Sequence, residues 1–228
     1  MTLPATRGLT AAPAGVYPAQ HDSHLLVSAM VRSGLVQGRQ VADLCTGSGL
    51  VAIAAAEAGA RSVVAVDVSA HAVRCARMNA ISRGADVQTL VGPWHRVIEH
   101  APFDVVVCNP PYVPEPDDGY TEPASEAGPP VAYNAGPTGR LVLDPLCIAA
   151  PELLNPGGSI LIVQSEFADI RRSMNLLDSG GMSANIVAWQ EVPFGPVLLQ
   201  RALWLEKQGL LKPGVRTETL AVIRGDKP

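Results

Sequence analysis

The sequence predicts an α/β fold built on one open sheet with helices on both faces, and three observations predict it. Short runs rich in Val, Ile and Leu alternate with longer Ala-rich stretches along most of the 228 residues, the written form of strands separated by helices. Gly, Pro and Asn clusters bound those runs, as expected where strands and helices end. Hydrophobic residues make up 47% and charged residues 17% of the chain, which supplies a core and excludes a disordered, highly charged tail. The length suits one large domain, able to bury roughly 70% of its unfolded surface.

Each element follows from its own stretch. Residues 40–45 read as the first strand and 50–58 as a helix, and 62–66 with 70–82 repeat the pair. Residues 87–91 and 103–108 are the third and fourth strands. A helix over 141–154 is stopped by Asn155-Pro156-Gly157-Gly158, a strong breaker, and 159–163 follow as the fifth strand. A helix over 169–178 and strands over 184–189 and 219–223 bring the sheet to seven.

Three stretches fall outside the alternation. Residues 1–14, rich in Pro, Ala and Thr, are expected as a flexible lead-in, leaving 15–228 as a single domain. Residues 113–139 hold six prolines, five carboxylates (Glu115, Asp117, Asp118, Glu122, Glu126) and no Lys or Arg. A stretch of that length is expected as a functional lid. Residues 195–211 carry Val197, Leu198, Ala202, Leu205 and Leu210 at helical spacing and are expected as an extra helix packed at the sheet edge.

Charge and cysteine usage narrow the function classes. Seventeen basic against twenty-one acidic residues leave a net charge of −4, without the basic footprint that phosphate binding demands, which argues against nucleic acid as the main partner. The longest apolar run, residues 50–56, is too short to span a bilayer. With no apolar segment behind the N-terminus to act as a secretory signal, the expected location is cytoplasmic. Cys45, Cys75, Cys108 and Cys147 form no CxxC pair and have apolar flanks, so they read as buried free thiols in a reducing compartment. His21 and His24 lack a third ligand nearby, so no metal is expected. Met78, Met174 and Met182 are expected as core filler.

Two motifs carry chemistry. Asp43-Leu44-Cys45-Thr46-Gly47-Ser48-Gly49 is a strand end running into a glycine turn at a helix start, where a backbone without Cβ atoms approaches a ligand closely. Asp67 ends the next strand, placed to accept hydrogen bonds from two ribose hydroxyls. The glycines do not spell the nicotinamide fingerprint and no GK[ST] follows, so neither a dinucleotide nor a P-loop nucleotide fits. An acid at Asp43 would repel a pyrophosphate but suits a cationic amino-acid end, which points to S-adenosyl-L-methionine.

The second motif is Asn109-Pro110-Pro111-Tyr112, at the carboxyl end of the fourth strand. A planar amide or aromatic amine is a poor nucleophile because its lone pair is delocalised. The Asn109 side-chain oxygen and the Pro110 carbonyl are placed to accept its two N–H groups and turn the nitrogen towards a methyl donor, a positioning effect. Pro110 and Pro111 fix φ and remove competing donors, and Tyr112 walls in the planar group.

Taken in order, DxxTGSG, a strand-end Asp and NPPY resemble the class I S-adenosylmethionine-dependent methyltransferases, whose Rossmann-like seven-stranded sheet matches the pattern above. Within that class the chain is most similar to the HemK family, which methylates the side-chain nitrogen of the glutamine in the GGQ motif of peptide release factors. Val16-Tyr17, Asp22-Ser23 and Leu25-Leu26 resemble the family's VYxPxxD[ST]xLL segment, Ala135 to Arg140 its AGxxGR turn, and Glu218 to Val222 its final strand. The resemblance is to the short form without an N-terminal helical domain. It implies that Tyr17, Ser23, Asp43, Cys45, Thr46, Gly47, Gly49, Asp67, Val68, Trp94 and Asn109 surround the cofactor, with Pro93 beside the adenine. It also implies that Asn109, Pro110, Pro111 and Tyr112 hold the substrate amide, and that a small activator protein covers an exposed sheet edge unless the extra helix does so. Three positions depart from the family pattern: Cys45 where Gly is common, Pro93 where an acid meets the adenine, and His21 where an acid is common.

The leading function is protein glutamine N5-methylation of a release factor. A small-molecule N-methyltransferase and an adenine N6 methyltransferase of nucleic acid remain alternatives at this point. The acidic 113–139 stretch favours a basic protein segment over a phosphate backbone.

Overall fold

The apolar runs form β1 (Gln40–Leu44), β2 (Ser62–Asp67), β3 (Gln88–Val91), β4 (Phe103–Cys108), β5 (Leu154–Ser165), β6 (Ser183–Pro193) and β7 (Thr217–Asp226). In this computed structural model, which describes residues 15–116 and 128–228, they build one seven-stranded sheet in the order β3-β2-β1-β4-β5-β7-β6. β1 to β5 pair in parallel, and β7 runs antiparallel between β5 and β6. β1, β4 and β5 read as near-continuous Val, Ala, Ile and Leu because parallel central strands are covered on both faces; Val105, Val106, Val107, Ile160 and Leu161 are fully buried.

Between the strands lie α2 (Leu50–Glu57), α3 (Ala70–Arg83), α4 (Leu143–Leu153), α5 (Ile170–Ser179) and α6 (Pro196–Lys207), close to the expected bounds. A further helix, α1 (His21–Ser33), precedes the sheet and was not among the expected elements. Its signal is in the sequence: Leu25, Leu26, Ala29 and Met30 recur at helical spacing, and Gly34 closes it in the left-handed region with φ 67°. α1 packs on α2, α2 on α3, and α4 on α5, so the helices fall into two groups. The breaker at Asn155 to Gly158 does stop α4, but the chain continues directly into β5. The pairing with β4 jumps from Phe103↔Leu154 to Val105↔Ser159, which loops those four residues out.

Two smaller expectations are corrected. Met78 is 65% exposed on α3 rather than core, whereas Met182 is buried. Cys45 is only partly buried, unlike Cys75, Cys108 and Cys147. Residues 94–100, between β3 and β4, form a 3-10 helix. The expected lead-in over 1–14 lies outside the described residues, as do Asp117, Asp118, Glu122 and Glu126 of the lid. The lid's two flanks are described, and they zip together: Val113 N donates to Tyr133 O, Ala135 N to Val113 O, and Glu115 N to Gly136 O. Among the described residues no helix is long and apolar enough to cross a membrane, and no group of three His, Cys, Asp or Glu side chains is placed to hold a metal.

Candidate active site

The crevice where β1 and β4 diverge in connection is the switch point at which open α/β sheets bind ligands. There a cavity of about 280 Å³ opens at the carboxyl ends of the strands. Its wall contains Tyr17, Ser23, Asp43, Cys45, Thr46, Gly47, Asp67, Val68, Trp94 and Asn109, with Pro110, Pro111 and Tyr112. Gly49 alone among the expected site residues is not part of that wall.

The glycine turn is braced by two acids. Asp43 is 1% exposed, and its Oδ2 accepts from Thr46 Oγ1 at 2.6 Å and from Ala52 N at 3.0 Å. It therefore ties β1 to the first turn of α2, where a negative charge also suits the helix dipole. Burial pushes its carboxyl up to about 7, against the pull of those two hydrogen bonds. Asp67 reaches across from β2: Oδ2 accepts from Gly47 N at 2.9 Å and Oδ1 from Ser69 N at 2.8 Å. Each oxygen keeps a second acceptor direction for a hydroxyl. Partial burial raises the Asp67 carboxyl, and the same two backbone bonds oppose the rise.

Backbone sterics explain the residues of the turn. Gly47 has φ 54°, and a Cβ there would meet no protein atom within 4 Å, so the glycine leaves an open cradle in the wall. Gly49 has φ 86°, and a Cβ would sit 2.9 Å from Ala76 Cβ on α3. Gly49 thus serves helix packing behind the turn. Cys45 holds φ 58°, one of two non-glycine residues in the left-handed region among those described. The departure from glycine at this position therefore carries backbone strain on the order of 1–2 kcal/mol.

The opposite wall is assembled from distant segments. Asn109 Nδ2 donates to Ser23 Oγ at 3.0 Å, and Tyr112 OH donates to Asp22 Oδ2 at 3.0 Å, so α1 grips the loop after β4. Asp22, Ser23 and Tyr112 are all buried. Tyr17 crosses towards Tyr133 with ring centroids 6.4 Å apart, and burial raises both the Tyr17 and the Tyr112 phenol. Glu218 at the start of β7 lies in the same neighbourhood, its carboxyl pushed up to about 7 by burial.

Two buried arginines fasten the lid flanks, and neither was singled out from sequence beyond the AGxxGR match. Arg140 donates to the carbonyls of Ala168 and Asp169, to Ser173 Oγ and to Asp144. Arg201, 1% exposed on α6, donates to Pro114 O at 2.8 Å and to Asn134 Oδ1 at 2.5 Å, over the Tyr133 ring. α6 is thereby joined to the lid base. Gly139 has φ 70°, and a Cβ there would collide with the Tyr112 carbonyl oxygen, so the AGxxGR turn lies directly on the NPPY loop.

The donor set fits S-adenosyl-L-methionine: an open glycine cradle, an acid pair across the turn, and Pro93 with Trp94 as a flat wall beyond Asp67. Comparisons with known proteins agree. Residues 12–121 match the family described as Methyltransferase small domain. The chain is 30% identical to a putative protein N5-glutamine methyltransferase of Methanocaldococcus jannaschii, over 82% of this chain and 91% of that one. It is 35% identical to the release factor glutamine methyltransferase of Xylella fastidiosa over 65% of its own length, and spans 55% of that longer protein. Among solved structures, the E. cuniculi Mtq2–Trm112 complex, responsible for methylation of the eRF1 termination factor, superposes with a TM-score of 0.60 at 21% identity, covering 94% of this chain and 99% of that one. A T. thermophilus 16S rRNA N2 methyltransferase in complex with AdoMet and guanosine gives 0.59 at 20% identity, over 92% and 44% of the two chains.

Proposed function

Because this chain belongs to the protein N5-glutamine methyltransferase family, we propose that it methylates the side-chain nitrogen of a glutamine, that of the GGQ motif in a peptide release factor. The observation that carries this reading is the Asn109 amide at the cavity wall, its nitrogen engaged by Ser23 Oγ and its oxygen left for an incoming N–H. Bound S-adenosyl-L-methionine supplies an electrophilic methyl group on a sulfonium.

The chain's own residues do the rest by placement. Asp67 takes the ribose hydroxyls, with Val68 beside them, and Pro93 and Trp94 flank the adenine. Thr46, Gly47 and the Cys45 backbone line the methionine end, with Ser23 and Tyr17 closing over it. Asp43 acts there mainly through its charge, since its oxygens hold the turn, and Gly49 keeps the turn seated on α3. Asn109 Oδ1 and the Pro110 carbonyl accept the two N–H groups of the glutamine amide, Pro111 stiffens the loop, and Tyr112 bounds the planar group. As the nitrogen gains carbon it loses one proton to solvent, so no strong base is needed in the wall.

The protein partner belongs to the same reading. The edge strand β3 leaves Gln88 and Val91 exposed, while α6 is joined to the lid base by Arg201. A small activator protein covering an open sheet edge, rather than α6, is the proposed solution to that edge. The net charge of −4 and the acidic lid favour a basic protein loop as substrate over nucleic acid.

The test is to incubate the pure protein with S-adenosyl-L-methionine and release factors, with and without a small activator protein, and map mass shifts by peptide. A single methyl group on the GGQ glutamine is the expected result. Methylation of other proteins or of small amines, with that glutamine untouched, would replace the substrate while keeping the chemistry.

A further inference from the structure

Resting on that reading of the reaction, we propose that Asp22 is a positioning residue that sets which way the Asn109 amide faces. Hydrogen-bond polarity fixes this direction. A carboxylate only accepts. Asp22 Oδ1 takes the Ser23 backbone N–H at 2.6 Å and the Ser23 hydroxyl at 3.3 Å, and Oδ2 takes the Tyr112 hydroxyl at 3.0 Å. Once the single proton of the Ser23 hydroxyl points at Asp22, that hydroxyl presents only lone pairs to Asn109. The group of Asn109 that meets it at 3.0 Å is then the NH2 group, and Oδ1 is turned to the substrate side. An amide held the other way would offer N–H groups to the N–H groups of a glutamine and repel it.

The same carboxylate fixes the far end of the motif through Tyr112. Asp22 therefore holds Asn109 and Tyr112, the two ends of the NPPY loop, from one helix turn 86 to 90 residues away in sequence. Burial makes the arrangement stiff: Asp22, Ser23 and Tyr112 are 6%, 8% and 8% exposed, so losing a partner there is costly. A purely structural reading of Asp22, an acid in the first turn of α1, accounts for neither the Tyr112 bond nor the chain through Ser23.

Asp22→Asn tests this with almost no change of shape. The new amide keeps its oxygen on the Ser23 backbone N–H and turns its NH2 to Tyr112, so the Tyr112 hydroxyl loses its acceptor and the NPPY loop that carries the Asn109 amide is released at its far end. The expected outcome is a fall in kcat of about 10- to 100-fold, with the Kd for S-adenosyl-L-methionine and the KM for the acceptor changed by no more than about threefold. In 1H–15N spectra of the cofactor-loaded protein, the Asn109 side-chain NH2 pair, identified by its loss in Asn109→Asp, should shift in Asp22→Asn. Should that variant fail to fold, Ser23→Ala breaks the same chain one link later and is expected to move the same signal. The spectral readout needs no acceptor. A wild-type protein that methylates no glutamine would overturn the reading of the reaction, and the signal would still decide the role of Asp22. An unmoved Asn109 signal, or a kcat in Asp22→Asn equal to that of the wild type, would overturn the proposal.

Discussion

The two sides of the cavity are held by different means. On the cofactor side, Asp43, Asp67 and the turn between them bond to backbone N–H groups of Gly47, Ala52 and Ser69, all within two adjacent strands and their following turns. On the acceptor side the bonds run between side chains and distant segments: Asp22 to Tyr112, Ser23 to Asn109, Arg201 to Pro114, Arg140 to Ala168. A wall made of local backbone geometry suits a ligand of fixed shape. A wall pinned by long-range side-chain bonds depends at once on α1, the loop after β4 and α6.

Paired glycine substitutions test that contrast with the largest expected effects. Gly139→Ala places a methyl against the Tyr112 carbonyl at a left-handed φ, and should destabilise the fold by about 2–5 kcal/mol. Below its melting point the surviving protein should lose turnover before it loses cofactor affinity. Gly49→Ala meets Ala76 on α3 at φ 86° and should cost a comparable amount, but with cofactor affinity failing first. Thermal melts combined with calorimetry check both, and the same order of loss in the two variants would erase the distinction.

Next in size is a pH effect. Asp43 and Glu218 are both pushed up to about 7 by burial, from the ordinary carboxylate range. The folded state then holds more protons than the unfolded state between about pH 4 and 7. The stability these groups confer is complete below about pH 4 and is lost as pH rises through 7. A cationic ligand end beside Asp43 favours the carboxylate. S-adenosyl-L-methionine affinity should therefore rise from pH 5.5 to about 7 and level off, with proton release on binding below pH 7. Calorimetry in two buffers of different ionisation enthalpy measures both, and Asp43→Asn should flatten the profile.

The smallest effect expected is from Cys45→Gly. Removing the side chain at φ 58° relieves strain of about 1–2 kcal/mol, and the added freedom of the unfolded chain offsets about 0.5–1 kcal/mol of that. A net gain of up to about 1.5 kcal/mol, read from chemical unfolding, is the prediction, with cofactor affinity equal or slightly tighter.

The same contrast explains what could be read in the sequence. The sheet was legible because Val, Ile and Leu runs between breakers report buried parallel strands, and the fold shared with the superposed structures follows from it. Asp43, Gly47 and Asn109 stood out because each belongs to a short contiguous motif at a strand end, and Asp67 because it ends the next strand; all four line one cavity. Gly49 belongs to the same motif, yet its neighbour is Ala76, a contact between helices that no local pattern encodes. Arg201 was invisible for the same reason, and Asp22, although part of the matched N-terminal segment, carried no legible role: their partners lie 87 to 90 residues away. α1 was not legible although Leu25, Leu26, Ala29 and Met30 carry its period, because Gln20 at its N-cap makes no side-chain capping bond and no start signal marks it.

The division of the cavity into a cofactor wall and an acceptor wall is tested most directly by measuring cofactor Kd and single-turnover methylation side by side in Asn109→Ala and Asp67→Ala. Asn109→Ala should keep the Kd within a few-fold while turnover falls by about 10²–10³, and Asp67→Ala should raise the Kd first and approach normal turnover at saturating cofactor. Equal loss of cofactor affinity in the two variants would contradict the account.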